Sequence, residues 1–362
     1  MPPIVANLLR VGAEIVMKRR RAHLSFSRRF LRIGGYKWAY LDTAHKSTRN
    51  VLPYFHASSK QGPATSIQPI VVLVHGFSSD KDAWLPIAKY LVNMGYRVII
   101  PDLPGHGAHL PNSQLRSRRP RTQATTNKFL SYHTTPSVHL VGYSMGGLIA
   151  GLFAATFPHL VRTLTLLCPA GISMPRPSPV VSLFDTTGRR LMEASTADEM
   201  NDLLRYSQGP TLKRQYSRVM VHAYAKIQAA RKDIVGKIFD DLEPERSTLE
   251  DNLHRVEADT LVLWGKHDQI LDVSCAYQVR RKGFRTIIVD GCGHDITQVR
   301  PQLCATHVIR MIQRYSKRSN DPKMSQTQIT YTSLDSLGRS TLTFGSARRR
   351  PRRFSSSIRT RG

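Results

Sequence analysis

The run Val138-His139-Leu140-Val141-Gly142-Tyr143-Ser144-Met145-Gly146-Gly147 constrains this chain more than any other stretch. A short apolar segment turns, through a serine set between glycines, into the small and apolar residues 148–155. A serine at the tip of so tight a strand-to-helix turn is held in a strained backbone conformation. Only residues with little or no side chain fit two positions to either side of it. Gly142 and Gly146 stand at those positions. The helix expected behind Ser144 aims free N–H groups and its positive dipole end at charge developing beside the hydroxyl. Ser144 is therefore the candidate nucleophile.

The other apolar runs give the sheet in which such an elbow sits. Residues 70–74, 96–100, 163–168, 260–264 and 285–289 are short and rich in Val, Ile and Leu, as expected of strands buried on both faces. Helices are expected over 80–95 and 302–315. The fold class is thus α/β, a mostly parallel sheet flanked by helices. The strand–helix alternation stops between 172 and 256, where a helical cap inserted after the sixth strand is expected, with helices over 197–206 and 216–230. Met192, Met200, Met220 and Val221 are its candidates to line an acyl pocket. Residues 110–136, with Arg116, Arg118, Arg119 and Arg121 ahead of a Thr-rich stretch, lack a clean helical period, so the crossover helix there is expected to be short or poorly formed.

Asp268 and His294 each follow one of these strands, and with Ser144 they occur in the order serine, acid, histidine. All three gather at one edge of a parallel sheet. In such a trio the histidine takes the serine proton and the acid fixes the imidazole tautomer. Pro169-Ala170-Gly171 offers no acid after the Cys168 strand, and Asp268 is preferred to Asp272 and Asp295. The backbone N–H groups of Phe77, in His75-Gly76-Phe77-Ser78, and of Met145 are the candidate oxyanion hole. His75, Asp102 and His106 are read as braces of the surrounding turns and not as a catalytic pair.

Charge is concentrated at the ends. Residues 1–37 carry nine basic side chains and one acidic, and residues 317–362 carry eleven and two, so the two ends supply more than half of the net +28. Such a balance favours an anionic membrane surface, with salt-sensitive, non-specific adhesion to nucleic acid as a further consequence. Ile4, Val5, Leu8, Leu9, Ile15 and Val16 share one helical face ahead of Lys18-Arg19-Arg20-Arg21. Interrupted by Arg10 and Glu14, this run falls short of the ~20 apolar residues a spanning helix needs, and an in-plane basic anchor is expected. The organisation expected is a membrane-proximal segment over 1–37, a hydrolase core over 38–171 and 257–316, a cap over 172–256 and a basic tail over 317–362. Tyr36, Trp38, Tyr40 and Tyr54 suggest an edge hairpin. The four cysteines show no paired spacing and read as reduced thiols; no metal cluster is visible in the spacing and no cofactor is expected. The sequence sets no oligomeric state.

Over residues 50–316 the chain resembles the α/β-hydrolase fold family, and more narrowly the monoacylglycerol lipases of the α/β-hydrolase domain-containing protein 6 type. The residues that carry this are His75-Gly76-Phe77-Ser78 with Lys81-Asp82 and Trp84, the elbow at 142–147, Cys168-Pro169-Ala170-Gly171, Glu199-Met200, Trp264-Gly265-Lys266 with Asp268-Gln269, Leu271-Asp272-Val273-Ser274, Cys292-Gly293-His294 and Arg300-Pro301. The resemblance implies a membrane-bound serine hydrolase that cleaves monoacylglycerols and related monoacyl lipids, with its catalytic domain facing the cytosol. Two other classes remain open: carbon–carbon bond hydrolysis on the same motifs, and a non-catalytic hydrolase-like scaffold binding anionic membrane or RNA. Epoxide hydrolases and dehalogenases are disfavoured, since they carry aspartate where this chain has Ser144.

Overall fold

Ile70–Val74 reads Ile-Val-Val-Leu-Val, and every one of its side chains is buried, because parallel strands lie on both sides of it and helices cover both faces. It forms the centre of an eight-stranded sheet in a computed structural model that describes residues 14–33, 35–43, 68–107, 122–134, 137–210 and 217–319. The strands are β1 Ser27–Ile33, β2 Tyr36–Asp42, β3 Ile70–Val74, β4 Arg97–Pro101, β5 Val138–Tyr143, β6 Val161–Leu167, β7 Asp259–Gly265 and β8 Arg285–Val289. Their order is β1-β2-β4-β3-β5-β6-β7-β8, with β1, β2 and β4 antiparallel and all pairs from β4 to β8 parallel. This is the mostly parallel α/β sheet expected from the sequence. The carboxyl ends of β3, β5, β7 and β8 therefore share one edge, and the candidate residues follow those ends.

The hairpin lies one strand earlier than expected. β2 pairs with the upstream β1, so residues 27–33, grouped by composition with the basic N-terminal segment, are part of the sheet. Arg28 and Arg32 are exposed along β1, as suits an edge strand guarded by charge. Tyr54 lies outside the described residues. Ahead of β1, helix α1, described over residues 14–23, is tied to the body. Arg21 is buried, and its guanidinium donates to both carboxylate oxygens of Asp82, at 2.6 Å through Nε. Lys18, Arg19 and Arg20 beside it are exposed. Among the described residues no helix is long and apolar enough to cross a membrane.

Helix α2 (Leu85–Asn93) covers one face, led in by a 3-10 turn capped by Asp80. The crossover from β4 to β5 does form a helix, α3 (Thr122–His133), whose buried face is Thr125, Thr126, Phe129, Leu130 and His133. Phe129 stacks on Trp38 of β2 at 4.5 Å between ring centroids. The arginine cluster at 116–121 lies outside the described residues. Helix α4 (Met145–Thr156) follows β5, and it is buried almost all round because the sheet lies on one side and Leu249 on the other.

Between β6 and β7 run α5 (Pro179–Thr187), α6 (Ala197–Ser207), α7 (Arg218–Ala229), α8 (Lys232–Leu242) and α9 (Thr248–Asn252). A small apolar cluster of Ala194, Met200, Val221 and Ala225 holds α6 to α7. Ile234, Val235 and Ile238 of α8 and Leu249 of α9 join the main core, so the last helices of the insertion return to the body. Of the residues expected to line an acyl pocket, Met200 and Val221 are spent in that cluster, and Met220 points outward at 57% exposure. After β7 come α10 (Ser274–Arg281), then β8, the short α11 (Ile296–Val299) and α12 (Pro301–Ser319). The chain divides into residues 1–316 and 317–362, and of the second only 317–319 are described, as the last turn of α12.

Candidate active site

Ser144 sits between β5 and α4 at φ 54° and ψ −121°, in a region that L-residues other than glycine rarely adopt. Its neighbours make that conformation affordable in space. A Cβ on Gly142 would lie 2.3 Å from the Gly146 carbonyl oxygen, and one on Gly146 would lie 2.2 Å from that of Val74. The elbow is thus wedged against β3, with no room for a side chain at either glycine.

The structure brings Ser144, Asp268 and His294 together. Ser144 Oγ lies 3.0 Å from His294 Nε2, and His294 Nδ1 lies 2.7 Å from Asp268 Oδ2. The other Asp268 oxygen accepts the backbone N–H groups of Ile270 and Leu271, each at 2.9 Å. These two donors keep the carboxylate aimed at the imidazole. Sequence reading missed them, although an aspartate bonding backbone two and three residues ahead is an ordinary local turn signal. The proton is thereby drawn to Nδ1, and the Nε2 lone pair faces the serine hydroxyl. Asp272 is engaged elsewhere, with Arg176 at 3.0 Å and the Ser274 N–H at 2.8 Å. Asp295 begins α11.

The loop after β3 lies directly against the elbow, since a Cβ on Gly76 would stand 3.1 Å from Ser144 Cβ. The N–H groups of Phe77 and Met145 have no hydrogen-bond partner among the described residues. Two buried histidines hold this loop. His75 Nε2 accepts the Leu103 N–H at 3.0 Å, which leaves Nδ1 to donate to the Gly76 carbonyl at 2.8 Å. His106 Nε2 accepts the Ser78 N–H at 3.1 Å, and its Nδ1 donates to Pro104 at 3.0 Å. Burial, helped by neighbouring His75, pushes the His106 pKa down to about 3, so it braces the loop as a neutral ring. Asp102, fully buried, takes Lys81 Nζ at 3.0 Å and the Lys81 N–H at 2.9 Å.

The insertion between β6 and β7 covers this centre. Ser144 and His294 are only 7% and 3% exposed. Gln228 of α7 donates to the Ser78 carbonyl at 2.8 Å, the Ser78 hydroxyl approaches the Met192 carbonyl at 3.4 Å, and Phe239 meets the Phe77 ring. Nothing in the sequence marks Gln228, which reaches Ser78 across 150 positions. A cleft of about 490 Å³ opens on the far side of Asp268, lined by Arg176, Pro179, Pro210, Lys266 and Asp272. Neither Ser144 nor His294 lines it, and its charged wall does not suit an acyl chain.

Comparisons with known proteins agree with this architecture. The chain is 30% identical over 267 residues to "Monoacylglycerol lipase abhd6-A" of Xenopus laevis, covering 70% of this chain and 78% of that protein. It is 28% identical over 271 residues to "Monoacylglycerol lipase ABHD6" of Homo sapiens, covering 71% and 79%. Among solved structures it is similar to the crystal structure of a membrane phospholipase A described as a bacterial virulence factor, with a TM-score of 0.72, 25% identity, and coverage of 85% of this chain and 93% of that one. The family profile described as alpha/beta hydrolase fold matches residues 69–301. With the profile spanning well over half of its length, the chain belongs to the alpha/beta hydrolase fold family.

Proposed function

We propose that the chain is a serine hydrolase of lipid acyl esters, with monoacylglycerol as its substrate and an acyl-Ser144 intermediate. The observation that carries this is the relay from Asp268 through His294 to Ser144, at 2.7 Å and 3.0 Å. His294 Nε2 takes the Ser144 proton as Oγ attacks the ester carbonyl, and Asp268 stabilises the imidazolium that forms. The carbonyl oxygen gains negative charge as the tetrahedral intermediate forms, and the N–H groups of Phe77 and Met145 receive it. Collapse expels glycerol, which takes the proton from His294 and leaves an acyl ester on Ser144. A water molecule then gives its proton to the same nitrogen and attacks that ester, releasing fatty acid and free serine. The names of the relatives favour ester hydrolysis over carbon–carbon bond cleavage and over a non-catalytic scaffold.

The same reading extends to where the enzyme works. Exposed apolar side chains on α7 (Val219, Met220, Tyr224 and Ile227) lie beside Arg218 and Lys226, and on α1 Ile15 and Val16 lie beside Lys18, Arg19 and Arg20. Apolar insertion and attraction to anionic lipid add in such a patch, which supports attachment to an anionic membrane surface. All four cysteines are free and buried, in keeping with a body facing the cytosol. The basic charge also supports loose, salt-sensitive adhesion to nucleic acid.

Labelling with a fluorophosphonate probe, alongside glycerol release from monoacylglycerol vesicles, tests the proposal. Wild type is expected to label and to release glycerol, and Ser144→Ala to do neither. A folded wild type that neither labels nor releases glycerol would overturn it.

A further inference from the structure

Cys168 follows β6 in the turn that, by chain topology, borders both the elbow and the Asp268 loop. Its N–H donates to the Leu263 carbonyl of β7 at 2.9 Å, and the adjoining Ala170 N–H donates to the Ser144 carbonyl at 3.0 Å. The Cys168 sulfur, a carboxylate oxygen of Asp268 and an imidazole nitrogen of His294 lie within 4.8 Å of one another, and all three side chains are buried. The thiols of Cys275 and Cys304 donate to backbone carbonyls, of Ile172 and Ile296. The Cys168 sulfur, fully buried, is met by the Gly265 backbone at the end of β7. Three residues drawn from positions 168, 268 and 294 thus present one sulfur, one oxygen and one nitrogen donor to a common point, which spacing along the chain could not reveal.

That donor set is the one zinc prefers. The ion binds thiolate at about 2.3 Å and imidazole or carboxylate at about 2.0–2.2 Å, so tetrahedral donors stand roughly 3.5 Å apart. The Cys168 sulfur must close in by about an ångström, within reach of a side-chain rotation, and Asp268 Oδ2 and His294 Nδ1, 2.7 Å apart across their hydrogen bond, must open to admit the ion. Hard cations such as magnesium require an oxygen-rich octahedron that this cluster does not offer.

We propose that Cys168, Asp268 and His294 form an inhibitory site for zinc, or for a divalent ion of like softness. The ion takes the thiolate of Cys168, an Asp268 oxygen and His294 Nδ1, with water as the remaining ligand. The thiol proton leaves to solvent, and the imidazole proton passes from Nδ1 to Nε2. The ring then presents an N–H to Ser144 Oγ where it formerly presented a lone pair, so the serine proton has no acceptor and attack stops. This inhibitory consequence rests on the catalytic reading of His294; occupancy of the site by the ion does not.

The test has two arms. In the first, hydrolysis of a soluble ester is followed against buffered zinc. Wild type is expected to lose at least tenfold in rate at micromolar free ion and to recover when a chelator is added. Loss of second-shell partners alone costs metal sites 10–100-fold in affinity. Removal of a direct ligand in Cys168→Ala should therefore shift half-inhibition by about a hundredfold or more. Cys168→Ser, closer in size, should shift it in the same direction, and hydrolysis in chelator reports that each variant is folded. Equal sensitivity of wild type and both variants, or an uninhibited wild type that binds no ion, overturns the proposal. In the second arm cobalt(II) is added to Ser144→Ala, where thiolate coordination gives a near-ultraviolet charge-transfer band that should vanish in the double variant with Cys168→Ala. A band that persists in the double variant overturns the site. A Cys168-dependent band without inhibition of wild type supports the ion site and overturns the catalytic reading of His294.

Discussion

Gln228, on cap helix α7, donates its Nε2 to the carbonyl oxygen of Ser78 at 2.8 Å, and on the opposite side of the same peptide chain the Ser78 N–H donates to His106 Nε2 at 3.1 Å. Ser78 is the residue after Phe77 and holds φ 55°, so the loop bearing one proposed oxyanion donor is clamped between the cap and a turn of the body. Gln228 is 4% exposed, and its Oε1 is buried without a partner among the described residues. A buried unsatisfied acceptor costs stability. Its retention beside this loop fits a side chain kept for the position of Ser78 rather than for the packing of α7.

Gln228→Leu should separate those two roles. It removes one net hydrogen bond, worth about 1 kcal/mol, together with an unsatisfied oxygen that costs a similar amount, so the Tm should move little. Loss of a whole oxyanion donor costs about 10²–10³ in kcat, and a donor left in place but loosely aimed should cost roughly tenfold. Kinetics on a soluble ester check this. A normal kcat with a lowered Tm would show that Gln228 serves packing alone.

The relay itself makes graded predictions. Ser144→Ala and His294→Ala should each lower kcat by about 10⁶, whereas Asp268→Asn should cost about 10⁴, because an amide keeps its place in the turn but favours the wrong imidazole tautomer. Combining Ser144→Ala with His294→Ala should cost no more than either alone, since the two act as one unit. Additive losses in the double variant, measured under single turnover, would mean that the residues act separately.

Why some of this architecture is legible in the sequence and some is not follows from where polar atoms are tolerated. The parallel strands announce themselves because both faces are covered, and Ile70–Val74 carries no polar residue at all. The elbow is legible because steric exclusion at Gly142 and Gly146 leaves so few alternatives. Helix α3 is hidden because Thr125, Thr126 and His133 sit on its buried face, Thr126 returning its hydroxyl to the Thr122 carbonyl at 2.6 Å, so the apolar period never appears. Strand β1 is hidden by the arginines that guard a sheet edge. The cap is legible as helices but not by facing. Met220 and Met200 look alike in the sequence, and only the packing of α6 on α7 turns one outward and the other inward.

The basic stretch at the end of α1 also divides by facing, which gives a clean test of attachment. Exposed Lys18, Arg19 and Arg20 should contribute about 1 kcal/mol each to binding of anionic vesicles. Reversing all three to glutamate should abolish co-sedimentation with phosphatidylserine vesicles while leaving soluble-ester hydrolysis intact. Arg21→Ala should do the opposite. It leaves Asp82 without a bidentate partner, so stability should fall by about 1–3 kcal/mol while most vesicle binding survives. Vesicle binding unaffected by the triple reversal would remove α1 as the anchor.

Stability should decline on the acid side of neutrality, and the sign follows from three buried histidines. Burial pushes His106 and His139 down to about 3 and His133 to about 4, whereas in the unfolded chain each titrates near 6.5. Between those limits the unfolded state binds protons that the folded state refuses. Their stabilising contribution is therefore complete above about pH 6.5 and drains away as pH falls toward 3. Asp80 acts in the opposite sense: burial and the neighbouring Asp82 and Asp102 raise its carboxyl, so its contribution is present at acid pH and is lost as pH rises through the acid range. One such group against three leaves the histidines in control. Urea midpoints measured from about pH 7 to about pH 4.5 should fall steadily, and unfolding near pH 5 should take up roughly three protons from these sites. In His106→Gln, where an amide still accepts from Ser78 and donates to Pro104, the uptake should drop by roughly one proton. An unchanged slope in that variant would mean that His106 is already charged in the folded protein, and the neutral brace on the loop bearing Phe77 would have to be abandoned.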